Sequence, residues 1–178
     1  MTAAASQTLA ELIAARLRDV PDFPEPGILF KDISPLLADA DAFAEVIRGL
    51  AVFAEGADIV AGVEARGFAI AGALARELGL GLVMVRKSGK LPPPTLRRSY
   101  ALEYGTAEIE VPVDAVAGRR VLLVDDVLAT GGTLRAAAEL LAEAGGAVTG
   151  LAVLLELGFL DGRSVLDGLA PLYTLLRL

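Results

Sequence analysis

The chain contains no cysteine, no histidine and no tryptophan. Without cysteine, it has neither disulfides nor thiolate nucleophiles, and cysteine metal sites are excluded as well. Without histidine, it also lacks the side chain that most often acts as a general base near neutral pH. Acid–base chemistry in this protein must therefore depend on carboxylates, lysine or tyrosine.

Long apolar segments are also lacking, since no run approaches the roughly 18 consecutive residues of a membrane-spanning helix. Residues Met1–Ala5 do not show the basic start of a signal peptide. Together with the absence of cysteine, this leads us to expect a cytoplasmic protein without membrane contact. The net charge of −7 makes generic nucleic-acid binding improbable. With 178 residues, of which 54% are hydrophobic and 22% charged, the composition is that of one globular domain.

Acidic residues are missing from one internal segment, because no Asp or Glu occurs between Glu77 and Glu103. The same segment contains five basic residues, namely Arg86, Lys87, Lys90, Arg97 and Arg98. A basic patch in an acidic protein indicates a small polyanionic ligand. The alternative is a basic loop that is merely solvated.

Apolar periodicity predicts alternating strands and helices along most of the chain. Thr8 and Glu11 form a capping-box pattern that begins a helix reaching about Arg18, and Asp39 or Asp41 caps a second helix. The predicted extended segments are Ile28–Ile33, Asp58–Val63, Leu80–Val85, Ala107–Val113 as an edge strand, Val121–Val124 and Ala147–Leu155 as the last strand. The later predicted helices are Phe68–Leu78 and Leu134–Ala144, Lys87–Gly105 is a long loop, and Asp161–Leu178 has no assigned structure.

Strands separated by helices favour right-handed crossovers. We therefore predict an α/β fold in which helices flank a mainly parallel open sheet. The whole chain, residues 1–178, is expected to form a single domain. About residues 1–50 would supply N-terminal helices and a small hood over the sheet, and about residues 55–160 the core sheet.

The most informative segment is residues 121–133, Val-Leu-Leu-Val-Asp-Asp-Val-Leu-Ala-Thr-Gly-Gly-Thr. In open α/β sheets, ligands bind where strands end and helices begin. The backbone N–H groups of the Gly-rich turn Ala129–Thr133 and the following helix N-terminus suit a phosphate. Asp125 and Asp126 would repel phosphate but suit sugar hydroxyls or Mg²⁺. The pattern predicts a site for a phosphorylated ribose, although two solvated acids before a turn would give the same sequence.

This segment resembles the phosphoribosyl diphosphate (PRPP) signature of the type I phosphoribosyltransferases. Four other blocks, 23–35, 64–68, 86–92 and 99–105, are similar to the adenine phosphoribosyltransferases of that family, in the same order. The resemblance covers about Pro21 to Phe159. It implies that adenine and PRPP give AMP and pyrophosphate in purine salvage, that Mg²⁺ is required, and that the protein is a homodimer.

The resemblance also assigns roles to individual residues. The 5′-phosphate would lie on Ala129, Thr130, Gly131, Gly132 and Thr133, and the ribose hydroxyls on Asp125 and Asp126. Mg²⁺ would be held mainly through PRPP, with these two acids as the candidate protein ligands. Pyrophosphate would be bound by Glu64, Ala65, Arg66 and Gly67, a loop with a non-proline cis peptide in many family members, and by Lys87, Lys90 and Arg86, the last from this or a neighbouring subunit. Residues 91–105 would form a lid that carries Glu103 and Tyr104.

Chemistry supports several of these roles independently of the family. Breaking the bond between C1′ and pyrophosphate creates an anionic leaving group, which Arg66 and the lysines would stabilise. The attacking base loses a proton, and in a chain without histidine Glu103 is the leading carboxylate to assist. The alternative for Glu103 is an ordinary ion pair with Arg97 or Arg98.

Adenine would be bound through the backbone of Leu29, Phe30 and Lys31, with Phe30 stacked on the ring and Val127 opposite. Phe30 is almost equally well interpreted as a core residue. No lysine or arginine occurs between Arg135 and Arg163, and this weakly favours adenine over a 6-oxopurine. The competing functions are another purine or orotate phosphoribosyltransferase, or a non-catalytic PRPP-sensing regulator, for which a basic N-terminal DNA-binding segment is missing.

Overall fold

A computed structural model describes residues 7–102 and 105–178 of the chain. These residues form six α-helices: α1 (Leu9–Ala14), α2 (Ser34–Ala38), α3 (Ala40–Ala51), α4 (Gly67–Leu78), α5 (Gly132–Glu143) and α6 (Gly162–Val165). They also form nine strands: β1 (Arg18–Pro21), β2 (Leu29–Asp32), β3 (Ile59–Val63), β4 (Gly81–Lys87), β5 (Thr95–Leu102), β6 (Gly105–Pro112), β7 (Arg120–Leu128), β8 (Ala147–Glu156) and β9 (Leu172–Arg177). The predicted lid residues Glu103 and Tyr104 lie outside the described residues. Within the described part of the chain, no helix is long and apolar enough to span a membrane.

The main sheet has seven strands in the order β5-β6-β4-β3-β7-β8-β9. Strands β4, β3, β7, β8 and β9 are parallel, while β5 and β6 run antiparallel at one side. Helix α5 covers one face of the sheet and α1 to α4 cover the other, so two apolar cores form on opposite faces. The predicted fold class, a mainly parallel open sheet flanked by helices, is confirmed.

The N-terminal region contributes to two different parts of the molecule. Strands β1 and β2 pair antiparallel as a separate two-stranded sheet. Helices α1 and α3, in contrast, bury Ile13, Val46 and Leu50 in the core beneath the main sheet. The capping box of Thr8 and Glu11 is confirmed, and Asp39 caps α3. The first helix ends at Ala14 rather than near Arg18, because the chain turns there into β1.

The predicted loop over Lys87–Gly105 is wrong, since only residues 88–94 connect β4 to an antiparallel hairpin of β5 and β6. In β5, Leu96 and Tyr100 pack against the core that α5 covers, while Arg97 pairs with the fully buried Glu110 at 3.1 Å. The Glu110 carboxylate also accepts the N–H groups of Lys90 and Leu91. These partners lie far along the chain, and they order a segment whose prolines and charges predict a loop.

Three strand assignments also differ from the sequence prediction. Strand β7 does not end at Val124 but continues through both aspartates to Leu128, which pairs with Glu156 of β8. Strand β8 is not the last strand, because β9 pairs with it in parallel and forms the other edge of the sheet. Strand β6 is not an edge strand, since β5 pairs with its outer side and forms the edge of the sheet.

An ion pair at the N-terminal end of the sheet gives a test of the fold. Asp58, directly before β3, accepts the backbone N–H of Arg120 at 2.9 Å and its guanidinium at 2.8 Å. These hydrogen bonds lower the pKa of Asp58 to about 2. A depressed folded-state pKa stabilises the protein above the unfolded pKa, and this contribution is lost as pH falls toward 2. We therefore expect Asp58→Asn to lower Tm at pH 7, with the difference from wild type vanishing near pH 2. A difference that is constant with pH would contradict the assignment.

Candidate active site

A cleft of about 580 Å³ opens at the C-terminal ends of the parallel strands, next to β2. Parallel strands bring their C-terminal ends to one edge, where the loops that follow them meet. The lining residues come from β2, from the start of α4, from the β7–α5 connection and from the segment after β8: Ile28, Leu29, Phe30, Lys31, Arg66, Asp126, Val127, Ala129, Thr130, Thr133, Leu157 and Leu160. The structure thus brings residues far apart in sequence into one concave surface.

The Gly-rich turn lies between β7 and α5 and forms a small recess beside the cleft. Gly131 is the residue before α5 and has a φ of 84°, a left-handed conformation that side chains disfavour. The first N–H groups of a helix have no acceptor within the helix, and its dipole adds positive potential there. Thr133 donates its hydroxyl to the Tyr100 oxygen at 3.2 Å, which ties the turn to β5. The recess is therefore suited to an anion.

The two neighbouring acids face different parts of this site. Asp126, only 6% exposed, lines the cleft, whereas Asp125 lines the recess beside the Gly-rich turn. Burial and the adjacent Asp126 carboxylate raise the pKa of Asp125 well above its usual value. Side chains alternate along a strand, and this separates two acids that are adjacent in sequence.

Arg66 lines the cleft at the start of α4. Its Nε lies 2.8 Å from Oδ2 of Asp126, and its guanidinium carbon lies 5.0 Å from the centre of the Phe30 ring. Phe23 contacts the same ring edge-on, with 5.2 Å between ring centres. Arg66 therefore links the acid of β7 to the aromatic ring of β2.

The residues predicted to bind the base lie in the same cleft. Strand β2 lines the cleft with Leu29, Phe30 and Lys31, and strand β7 lines it with Val127. Leu29 is 48% exposed, and the Lys31 ammonium pairs with Asp19 at 2.7 Å. Phe30 is only partly buried and is not among the residues of either apolar core. This placement favours a binding role for Phe30 over the core interpretation.

Other predicted residues do not line the cleft. Glu64 and Ala65, joined by a cis peptide, form the turn between β3 and α4, which continues into Arg66. The Glu64 carboxylate accepts the Lys87 N–H at 2.8 Å and pairs with Arg86 Nε at 3.3 Å. Burial would raise the pKa of Glu64, but these partners lower it overall. Lys87 and Lys90 are exposed.

Sequence reasoning missed three apolar wall residues, Ile28, Leu157 and Leu160. Leu157 and Leu160 follow β8, the strand next to β7. Their position directly after a predicted parallel strand could have indicated them, because the residues that follow such strands meet at the same edge of the sheet. The segment was difficult to interpret because its structure depends on β9, which follows later in the chain.

The fold and this site define a class of protein that binds a sugar phosphate at the edge of a parallel sheet. A family model described as the phosphoribosyl transferase domain matches residues 30–164. The matched region contains every described cleft residue except Ile28 and Leu29.

Relatives with the adenine phosphoribosyltransferase name are similar over nearly the full chain. One from Mycolicibacterium gilvum is 58% identical and covers 90% of this chain and 91% of its own. One from Kineococcus radiotolerans is 61% identical, with 89% and 87% covered. The chain belongs to the adenine phosphoribosyltransferase family.

Solved structures of the same name share the fold. The enzyme from Thermoanaerobacter pseudethanolicus superposes with a TM-score of 0.91 at 50% identity, over 96% of this chain and 100% of its own. The enzyme from Saccharomyces cerevisiae, solved with adenine and an imino-altritol bisphosphate, gives a TM-score of 0.89 at 37% identity, over 94% and 98%.

Proposed function

We propose that this protein transfers the phosphoribosyl group of PRPP to N9 of adenine, forming AMP and releasing pyrophosphate. One observation carries the proposal: Phe30, Asp126 and three residues of the Gly-rich turn, Ala129, Thr130 and Thr133, line one cleft. A nucleoside monophosphate has three groups that match them, namely base, ribose and phosphate. Membership of the adenine phosphoribosyltransferase family supports the same activity.

The base would bind between β2 and the segment after β8. Phe30 offers a ring face, and Val127, Leu157 and Leu160 supply apolar walls. The backbone of Leu29–Lys31 is extended, so its N–H and C=O groups can match the donor amino group and acceptor nitrogens of adenine. In the present structure, Arg66 lies over the Phe30 ring, and adenine would take its place there.

The leaving pyrophosphate would be stabilised by Arg66. As the C1′–oxygen bond breaks, negative charge grows on the pyrophosphate and positive charge on the ribose, and C1′ then bonds to N9. A guanidinium placed at the developing negative charge accelerates such a step. Lys87, Lys90 and Arg86 would add positive potential at the outer side, with Arg86 acting across a homodimer interface or within the subunit.

The site also fits Mg²⁺ bound together with PRPP. The described residues contain no cluster of three acidic groups that could hold a metal alone. Asp125 and Asp126 provide carboxylate oxygens, and Mg²⁺ commonly binds one or two carboxylates together with substrate phosphates. Bound in this way, Mg²⁺ would neutralise the charge of the diphosphate. We also propose a cytoplasmic location, which the composition supports.

Glu103 is the proposed group that assists loss of the N9 proton. We expect Glu103→Gln to lower kcat by about 100-fold, the low end of what a positioned acid–base group contributes. Affinity for PRPP should stay within about twofold, since the carboxylate would contact the base. Steady-state kinetics with both substrates measure this, with Glu108→Gln on β6 as the control. An unchanged kcat would remove Glu103 from the acid–base role.

Replacing Asp125 with asparagine should stabilise the protein but weaken PRPP binding. Its raised pKa means that the folded state penalises the charged form, and the penalty grows as pH rises above the unfolded pKa of about 3.9. Asp125→Asn should therefore raise Tm at pH 7, with no gain below about pH 4. The same change removes a charge-assisted contact to ribose, and PRPP affinity should fall roughly 10- to 100-fold.

Calorimetry and thermal unfolding of Asp125→Asn test both effects. Asp114→Asn, in an exposed turn, is the matched control and should change neither quantity. Lower Tm together with unchanged PRPP affinity would contradict the assignment.

The proposed activity is tested by mixing protein, Mg²⁺ and PRPP with adenine, guanine, hypoxanthine, xanthine or orotate and measuring pyrophosphate. Release with adenine alone is expected. Release with another base instead would indicate a related transferase. PRPP binding without turnover of any base would indicate a PRPP-sensing regulator.

A further inference from the structure

The Gly-rich turn is in direct contact with a short segment near the C-terminus. A Cβ atom built on Gly162, the first residue of α6, would lie 2.0 Å from the carbonyl oxygen of Ala129 and 2.9 Å from the N of Gly131. A Cβ on Gly131 would lie 2.5 Å from the carbonyl oxygen of Gly162. Only glycine at both positions allows the two backbones to approach this closely, so the position of α6 determines where the turn can lie.

Helix α6 is too short to hold its own position. It has four residues and begins after Asp161, whose φ is 49°. Two arginines attach it to the rest of the protein. Arg163 in α6 donates from Nε to Glu156 at 3.1 Å, and Arg135 of α5 donates to the carbonyl oxygen of Val165 at 3.2 Å.

Glu156 is the centre of this attachment. It is the last residue of β8, only 2% exposed, and also accepts the Thr174 hydroxyl at 2.9 Å and pairs with Arg177 at 3.3 Å. Arg163 contacts the same Thr174 hydroxyl. The carboxylate therefore joins β8, α6 and β9, and it lines neither the cleft nor the recess.

We infer that Glu156 and Arg163 are positioning residues for phosphate binding: through Gly162 they fix the Ala129–Thr133 turn in the conformation that receives the 5′-phosphate. This inference rests on the proposed function for the identity of the ligand. It adds that the affinity for the phosphate end of PRPP depends on a buried ion pair outside the binding site. Adenine would contact Leu157 and Leu160, which lie between Glu156 and Arg163 in sequence, so we expect a smaller effect on adenine binding as well.

The test compares Glu156→Gln and Arg163→Met with Asp58→Asn, which breaks a more exposed carboxylate–arginine pair at the opposite end of the sheet. All measurements are made well below Tm on fully folded samples. The Glu156 and Arg163 variants should raise KM for PRPP about tenfold and KM for adenine by a smaller factor. The Asp58 variant should lower Tm and leave both KM values unchanged, and Arg163→Lys should restore part of the lost affinity.

Hydrogen exchange provides a second readout that does not depend on turnover. In the absence of ligand, amides of residues 129–133 should exchange faster in Glu156→Gln than in wild type or Asp58→Asn. If wild type turns over no base while this difference appears, the proposed function fails and the positioning inference stands. Unchanged exchange at the turn together with an unchanged KM for PRPP would overturn the inference, whatever the effect on Tm.

Discussion

Gly131→Ala should reduce kcat/KM for PRPP by about 1,000-fold. The new methyl group would lie 2.5 Å from the carbonyl oxygen of Gly162, a backbone atom that cannot rotate away. The turn must therefore shift, and a displacement of about 1 Å at a reacting site costs roughly 100-fold. Loss of a single charge-assisted hydrogen bond to the phosphate accounts for about tenfold more.

Gly79→Ala is the matched control for this change. Gly79 ends α4 with a φ of 67°, and a Cβ there would meet no atom within 4 Å. Both substitutions place alanine in a left-handed conformation, which costs about 1–2 kcal/mol. Only Gly131→Ala should weaken PRPP binding, as measured by calorimetry, by about tenfold or more. Equal activity of the two variants would show that the turn does not bind the substrate.

Arg66→Met should lower kcat by about 1,000-fold, the upper range for removal of one group that stabilises transition-state charge. Methionine is unbranched and has a similar length, so the change removes the charge and its hydrogen bonds while keeping much of the side-chain volume. The effect should fall mainly on kcat, because the leaving-group charge develops fully only as the bond breaks. Arg66→Lys should give an intermediate rate, since lysine keeps the charge without the planar fork.

Arg76→Met, which removes an exposed arginine from the same helix α4, is the control for net charge and should leave kcat unchanged. Single-turnover kinetics separate the chemical step from product release. If Arg66→Met raised KM for PRPP with kcat intact, Arg66 would contribute ground-state binding and not catalysis.

Local patterns were sufficient to predict the part of the fold that carries the site. A buried apolar strand, two acids and a Gly-rich turn before a helix follow one another directly, so the order of these elements can be predicted from residues 121–133 alone. The β5–β6 hairpin could not be predicted in this way. Arg98 pairs with Glu139 and Glu143 of α5, more than forty residues later, and local composition does not reveal such partners.

The separate surroundings of Asp125 and Asp126 could not be predicted from the local sequence either. Sequence alone places Asp125 and Asp126 side by side, and the prediction gave both the same role. The strand continues through them because Leu128 pairs with β8, and side-chain alternation then directs Asp126 to the cleft and Asp125 to the recess. Their separate surroundings depend on the extent of pairing with a strand from another part of the chain.

A crystal structure with bound AMP would show directly whether the Gly-rich turn binds the 5′-phosphate. We expect the 5′-phosphate within hydrogen-bond distance of the backbone N–H groups of residues 130–133, the ribose at Asp125 and Asp126, and the purine stacked on Phe30 with Arg66 displaced from the ring. A nucleotide bound in reverse, or elsewhere while the Gly-rich turn stays vacant, would contradict this proposal.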